Sequence, residues 1–176
     1  SSFFNPNFVF NLSLVAENQY FNGEYKKAKK NLQNFKKKDT LYYWYRVKKE
    51  AQIIEKQRNN KESLNYIISE FNKIEKPNNK ILFDIANFYK NSEKYEEAIK
   101  YYSKILGTLN DTSKIKPDIL YRRGGSYERI GSYNQADNDL LYSLKINPDD
   151  AYVLNYLAYS WLERDFKIDE ALKMLE

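Results

Sequence analysis

The fold is decided by the stretch LYRRGGSYERIGSYNQADNDL, residues 120–140. Leu120, Gly124 and Tyr127 follow one another at spacings of four and three residues, which places them on one face of a helix. A second run with helical spacing surrounds Ala136, after a short break that contains glycine and serine. Small residues at Gly124 and Ala136 allow two helix backbones to approach closely. The stretch therefore predicts an antiparallel helix pair.

The same spacing recurs along the whole chain. This pattern, with Leu120, Gly124, Tyr127, Ala136 and Pro148 at its marker positions, resembles the tetratricopeptide repeat, a helix pair of about 34 residues that stacks with its neighbours. The resemblance implies an all-α fold, an α-α superhelix that forms a single solenoid over residues 1–176. The predicted units are 9–42, 44–77, 79–112, 117–150 and 151–176.

Some positions depart from the family's pattern. Arg123 replaces the usual leucine and Ser143 the usual alanine in the unit at 117–150, while Ser63 and Glu70 occupy alanine positions in the unit at 44–77. We therefore expect that unit to be degenerate, and the unit at 151–176 to be truncated.

Composition argues against catalysis. The 176 residues contain no histidine and no cysteine, which removes the usual general base at neutral pH, the thiolate nucleophile and the commonest metal ligands. Only carboxylates, lysines or tyrosines remain for chemistry, and no paired acidic motif stands out. The sequence therefore predicts a protein that is not an enzyme and that uses no cofactor or metal.

The resemblance also implies where a partner would bind. In tetratricopeptide repeat proteins the first helix of each pair lines a concave groove, so we expect a non-catalytic scaffold that binds a peptide or partner protein there. The groove positions are Lys48, Lys49, Gln52, Asp84, Asn87, Lys90, Arg122, Arg129, Asn155, Tyr156 and Tyr159. Some family members clamp a terminal carboxylate; Lys48, Asn87 and Arg122 supply part of such a set, but Asp84 has the wrong charge.

An alternative function is electrostatic binding of RNA or an anionic membrane. Residues 1–76 hold 15 Lys and Arg against 8 Asp and Glu, because of a lysine-rich segment at residues 26–38. Lysines on an outward-facing second helix are more typical of a solvated surface, which disfavours nucleic acid as the partner.

The sequence says less about the cellular compartment and the chain termini. No run approaches 18 apolar residues, so no transmembrane segment is predicted. The termini look truncated and leave the compartment unknown, although residues 154–161 are similar to repeats of long bacterial envelope proteins, which favours the periplasm or cell envelope over the cytoplasm. The apolar surface at residues 154–175 predicts further repeats or self-association at this end.

Overall fold

The computed structural model describes residues 6–36 and 40–176, and all regular secondary structure in these ranges is α-helical. The chain divides into two compact units, an N-terminal unit of residues 1–77 and a C-terminal unit of residues 78–176. The helices of the N-terminal unit are α1 (Pro6–Phe21), α2 (Tyr25–Leu32), α3 (Thr40–Gln57) and α4 (Asn60–Phe71). Those of the C-terminal unit are α5 (Asn79–Asn91), α6 (Tyr95–Leu106), α7 (Lys116–Arg129), α8 (Tyr133–Ile146), α9 (Ala151–Glu163) and α10 (Ile168–Met174).

In the N-terminal unit, small residues allow close helix packing. Ala16 of α1 and Ala28 of α2 are buried in one cluster with Leu32 and Ile53. Helix α3 begins at Thr40, before the predicted unit boundary at residue 44. Lys37 and Lys38 of the lysine-rich segment lie outside the described residues.

In the C-terminal unit, α7 and α8 approach each other at Gly124. A Cβ atom added there would lie 3.2 Å from the backbone oxygen of Ala136 and 3.1 Å from Cγ of Leu140. Any larger residue would therefore push against the backbone of α8. This confirms the predicted pairing of Gly124 with Ala136.

Four of the five turns inside the helix pairs share one backbone feature. Gly23, Glu93, Gly131 and Asp165 all have positive φ, between 52° and 74°, in the turns that follow α1, α5, α7 and α9. Each is the fifteenth residue of its predicted repeat. The α3–α4 turn differs, because Asn59 has an extended backbone there and caps α4 by accepting a hydrogen bond from the Glu62 amide at 2.8 Å.

Two serines that replace template alanines form buried hydrogen bonds to backbone carbonyl groups. The Ser63 hydroxyl donates to the Ala51 oxygen at 2.9 Å, and the Ser143 hydroxyl donates to the Pro117 oxygen at 3.0 Å. Each serine therefore ties the second helix of its pair to the first without leaving a polar group unsatisfied.

None of the helices within residues 6–36 and 40–176 combines the length and the apolar character needed to cross a membrane.

Candidate functional site

In the N-terminal unit, three predicted groove residues lie on α3. Gln52 is exposed and Lys48 is half-buried. The Lys49 ammonium lies 2.7 Å from the Glu17 carboxylate of α1, and its side chain is only 18% exposed. Lys49 thus connects α1 to α3.

In the C-terminal unit, predicted groove residues come together around a concave cavity of about 300 Å³, here called the cationic pocket. Its cations are Lys90 from α5 and Arg122 and Arg129 from α7, and its other lining residues are Tyr95, Tyr121, Gly125 and Tyr156. Four of the predicted groove residues, Lys90, Arg122, Arg129 and Tyr156, therefore share one cavity.

Arg122 is held firmly on one side of this pocket. Its Nε atom donates to both carboxylate oxygens of Asp118 at 3.0 Å, and Nη1 lies 3.5 Å from Oδ1 of Asn87. The guanidinium also lies over the Phe83 ring, 5.1 Å from its centre. Asn87 in turn accepts a 2.6 Å hydrogen bond from the Tyr102 hydroxyl. Asn87 therefore acts on the pocket through Arg122.

Lys90 is a half-buried cation that has no ion-pair partner among the described residues. Burial, together with the nearby positive charge of Arg122, lowers the pKa of its ammonium group, although the Asp118 carboxylate opposes this shift. Within the described parts of the chain, Lys90 forms neither a hydrogen bond nor an ion pair. An anion entering the pocket would restore the stability of the charged form.

Arg129 lies at the end of α7 and reaches across to Tyr95. Its Nε donates to the Tyr95 hydroxyl oxygen at 3.3 Å, and its guanidinium lies 5.8 Å from the centre of that ring. No carboxylate pairs with Arg129 among the described residues. Its two Nη groups thus remain available to a ligand.

Tyr121 and Tyr156 form the aromatic part of the pocket. Their rings meet edge to face with centres 5.5 Å apart, and the Tyr156 hydroxyl donates to the Glu128 carboxylate at 2.8 Å. Burial and the Glu128 carboxylate raise the pKa of Tyr156. A Cβ atom on Gly125 would lie 3.3 Å from that hydroxyl oxygen, so the glycine gives Tyr156 the space to lie across α7.

The remaining predicted groove residues of this unit do not line the pocket. Asp84 is half-buried on α5, while Asn155 and Tyr159 are exposed on α9. The predicted set had omitted Tyr95 and Tyr121. Tyr121 occupies a groove position of its repeat and could have been included, whereas Tyr95 begins a second helix, which the repeat pattern does not assign to the groove.

Of the lysines of the alternative function, Lys26, Lys27, Lys29 and Lys30 lie on α2 in the N-terminal unit. Lys26, Lys27 and Lys30 are exposed, and Lys27 pairs with Glu24 at 2.9 Å. Exposed pairs and single lysines of this kind are typical of a solvated helix face. Electrostatic binding of RNA or membranes through this unit stays a prediction.

Comparison with known families identifies two of the repeats directly. The tetratricopeptide repeat profile matches residues 80–107 and 117–150. These segments contain nearly all of α5, all of α6, most of α7 and all of α8, and they include every residue of the cationic pocket except Tyr156.

Curated relatives match over shorter stretches. A TPR repeat-containing protein of Methanocaldococcus jannaschii is 33% identical over 78 residues, which are 44% of this chain and 13% of that protein. A peptidyl-prolyl cis-trans isomerase of Saccharomyces cerevisiae is 29% identical over 80 residues, 46% of this chain and 20% of the isomerase. The matches thus span a fifth or less of these relatives, and a match of this length gives no reason to assign isomerase activity here.

Solved structures match over nearly the whole chain. MamA from Desulfovibrio magneticus superposes with a TM-score of 0.67 at 8% identity, covering 95% of this chain and 93% of that one. Another crystal structure of MamA gives 0.65 at 12% identity, covering 91% and 90%. At these identities the likeness concerns the fold alone. It confirms the predicted class, an all-α stack of antiparallel helix pairs of the tetratricopeptide type.

Proposed function

The chain carries tetratricopeptide repeats, and we propose that it is a non-catalytic scaffold that binds a peptide segment of a partner protein in the cationic pocket. Tetratricopeptide repeats support a role in protein–protein interaction, and they typically act without catalysing a reaction. The finer statement, that the partner occupies the groove face at Lys90, Arg122 and Arg129, is the proposal.

One observation carries it: three hydrogen-bond donors without an acceptor line the same cavity. They are the Lys90 ammonium, the Nη groups of Arg129 and the Tyr121 hydroxyl, none of which finds an acceptor in the described residues. Lys90 and Tyr121 are half-buried and Arg129 is exposed, so a ligand can reach all three donors. Hydrogen bonds from a charged donor to a carboxylate are about twice as strong as neutral ones. A ligand that carries acceptor oxygens and negative charge would satisfy all three.

The test compares three versions of the chain as bait in a lysate of the organism that produces it, with captured proteins quantified by mass spectrometry. Lys90→Ala with Arg129→Ala removes both unpaired cations. Lys145→Ala with Lys100→Ala is the matched control, because it removes the same charge from exposed positions on α8 and α6. We expect the first pair to lose specific partners and the control pair to retain them.

Equal capture by all three baits would place the binding site elsewhere. The alternative function has its own variant, in which Lys26, Lys27 and Lys30 are changed to glutamate. If this change, but not the pocket change, abolished binding, and if binding weakened steeply with salt, an electrostatic surface on α2 would replace the pocket.

The proposal includes a second contact at α10. Ile168, Leu172 and Leu175 are exposed there, and Ala171 is the buried residue of this short helix. A further repeat or a second copy of the chain would cover this face. We expect Leu172→Glu to reduce any concentration-dependent association in sedimentation velocity; unchanged association would show that this face is not used.

A further inference from the structure

A second cavity lies in the C-terminal unit, and its lining is mainly apolar where that of the cationic pocket is charged. This apolar pocket of about 290 Å³ is lined by Phe83 of α5, Ile105 of α6, and Ile115 and Ile119 at the start of α7. Ile105 and Ile119 are buried, while Ile115 is 50% exposed. Asp118 stands at its rim, with Asn79 and Lys80.

The Arg122–Asp118 ion pair separates the two pockets. Arg122 lines the cationic pocket and Asp118 lines the apolar one. The Arg122 guanidinium also lies over the Phe83 ring. The two cavities are therefore neighbours on α5 and α7, and they share a wall.

The distance between the pockets corresponds to a short run of peptide. Lys90 follows Phe83 by two turns of α5, and Gly125 follows Asp118 by two turns of α7. At 1.5 Å per residue, two turns are about 10 Å. A chain in the polyproline II conformation rises about 3.1 Å per residue and completes one turn in three residues, so side chains three positions apart lie on the same face, about 9 Å from each other.

We propose that the ligand is a peptide in the polyproline II conformation that places an acidic side chain in the cationic pocket and an apolar side chain, three positions away, in the apolar pocket. This inference rests on the proposed function and specifies what the scaffold recognises. The carboxylate pairs with Lys90 and Arg129, the cations of this pocket that have no ion-pair partner among the described residues. The apolar side chain removes the exposed part of Ile115 and the Phe83 ring from water.

The linings of the two pockets favour this assignment. An acidic side chain in the apolar pocket would lose hydration against Phe83 and the isoleucines, while an apolar side chain in the cationic pocket would offer Lys90 and Arg129 no acceptor. A peptide that binds in the opposite chain direction therefore loses both contacts. It regains them only if the acidic and the apolar residue exchange their order in its sequence.

The test uses synthetic peptides of alternating serine and glycine that carry one leucine and one glutamate. Both ends are blocked, and the separation of the two residues is varied from one to six positions in both orders. Binding is followed by NMR through the backbone amides of Gly125 and Ile115, one at each pocket. We expect one order to bind best at a separation of three, about tenfold tighter than peptides lacking either side chain.

Two variants assign the contacts. Ile115→Gln should abolish the gain from leucine, whereas Ile130→Gln, the matched change at the other end of α7, should not; Ile130 is 40% exposed and lines neither pocket. Lys90→Ala with Arg129→Ala should abolish the gain from glutamate. A dependence on leucine that ignores its spacing, or that survives Ile115→Gln, would overturn the two-pocket inference.

The outcomes separate this inference from the proposed function. If glutamate binding needs Lys90 and Arg129 but leucine adds nothing, the cationic pocket stands and the two-pocket inference fails. If peptide binding ignores Lys90 and Arg129, both fail. A parallel series with a free terminal carboxylate in place of glutamate identifies the source of the anion; tighter binding of that series would overturn the assignment to an internal acidic side chain.

Discussion

The guanidinium group of Arg123 donates two hydrogen bonds of 2.7 Å to the Asp139 carboxylate, from Nε to Oδ2 and from Nη2 to Oδ1. Arg123 stands where the repeat pattern has leucine, and Asp139 lies opposite it on α8. The remaining Nη1 donates to the Ser103 hydroxyl at 2.9 Å. The departure from the pattern is therefore a polar link inside the pair, which also reaches α6.

This pair predicts a strong coupling between two substitutions. Asp139→Ala should lower the free energy of unfolding by about 3 kcal/mol, because it leaves the Arg123 charge, 21% exposed, without its partner. Arg123→Leu with Asp139→Ala should recover most of that loss, since it restores the template leucine. Urea unfolding of both single variants and the double variant measures the coupling. Additive losses would show that the two side chains act independently.

The shared turn conformation predicts that glycine is more stabilising than other residues at two equivalent positions. Gly131→Ala should cost about 1 kcal/mol of stability: φ is +74° there, and an added Cβ would meet no other atom, so the cost is that of the backbone alone. Glu93→Gly, at φ +58°, should gain about 0.5 kcal/mol.

The control for the turns is Gly107→Ala. Gly107 has φ −63° and only ordinary contacts for a Cβ atom, so alanine should stabilise the chain there by about 0.5 kcal/mol. The denaturant midpoint of each variant decides the sign. A loss at Gly107 equal to that at Gly131 would mean that φ is not the cause.

The Lys49–Glu17 ion pair predicts a pH dependence of stability. Hydrogen bonding from Lys49 holds the pKa of Glu17 below its ordinary value of 4.5, although burial opposes the shift. The folded chain thus binds the Glu17 proton less readily than the unfolded chain, so this stabilisation is present above pH 4.5 and is lost as the pH falls through the lowered pKa.

Lys49→Met should return the pKa of Glu17 toward 4.5 and flatten the acid limb of a stability curve measured in urea. Carboxyl-detected NMR follows the titration directly. Lys56→Met is the matched control, because Lys56 is exposed on the same helix. If both variants gave the wild-type titration of Glu17, the ion pair would not be the cause of the shift.

The cationic pocket can be filled by a substitution that removes no charge. Gly125→Leu should fill the cavity while the chain still folds, because the nearest obstacle is the end of the Tyr156 side chain, which can shift. We expect unchanged helicity by circular dichroism and about tenfold weaker binding of the leucine–glutamate peptide. Asn138→Leu, which adds the same side chain at an exposed position of α8, should leave binding unaffected. Unchanged affinity in Gly125→Leu would rule out the pocket as the binding site.

The helical spacing was sufficient to predict the fold, because the contacts that define it are local. Gly124 and Ala136 lie on two helices joined by one short turn. Both positions need small residues because the helix backbones pack closely there. The hydrogen bond from Ser143 to Pro117 could not be predicted. It depends on which backbone carbonyl group lies near the side chain that replaces the template alanine, and the repeat pattern does not specify this.

The candidate site was only partly predictable for a related reason. Repeat positions identified Lys90, Arg122, Arg129 and Tyr156 as groove residues, but they do not reveal which cations already have partners. Lys49 pairs with Glu17, and Arg122 with Asp118, whereas Lys90 stays without a counter-ion in the described residues. The difference depends on side-chain geometry that a periodic pattern does not contain.

The position of Arg122 limits how repeats of this protein can be duplicated or exchanged. Repeat proteins are readily modified by exchanging whole repeats, because each repeat contacts only its neighbours. Here the arginine of one repeat covers the Phe83 ring of the preceding one, and its ion pair with Asp118 separates the two cavities. Transplanting either repeat alone would dismantle both cavities. The two repeats therefore form one module, which duplication or engineering has to move as a block that extends to Tyr156 of the following repeat.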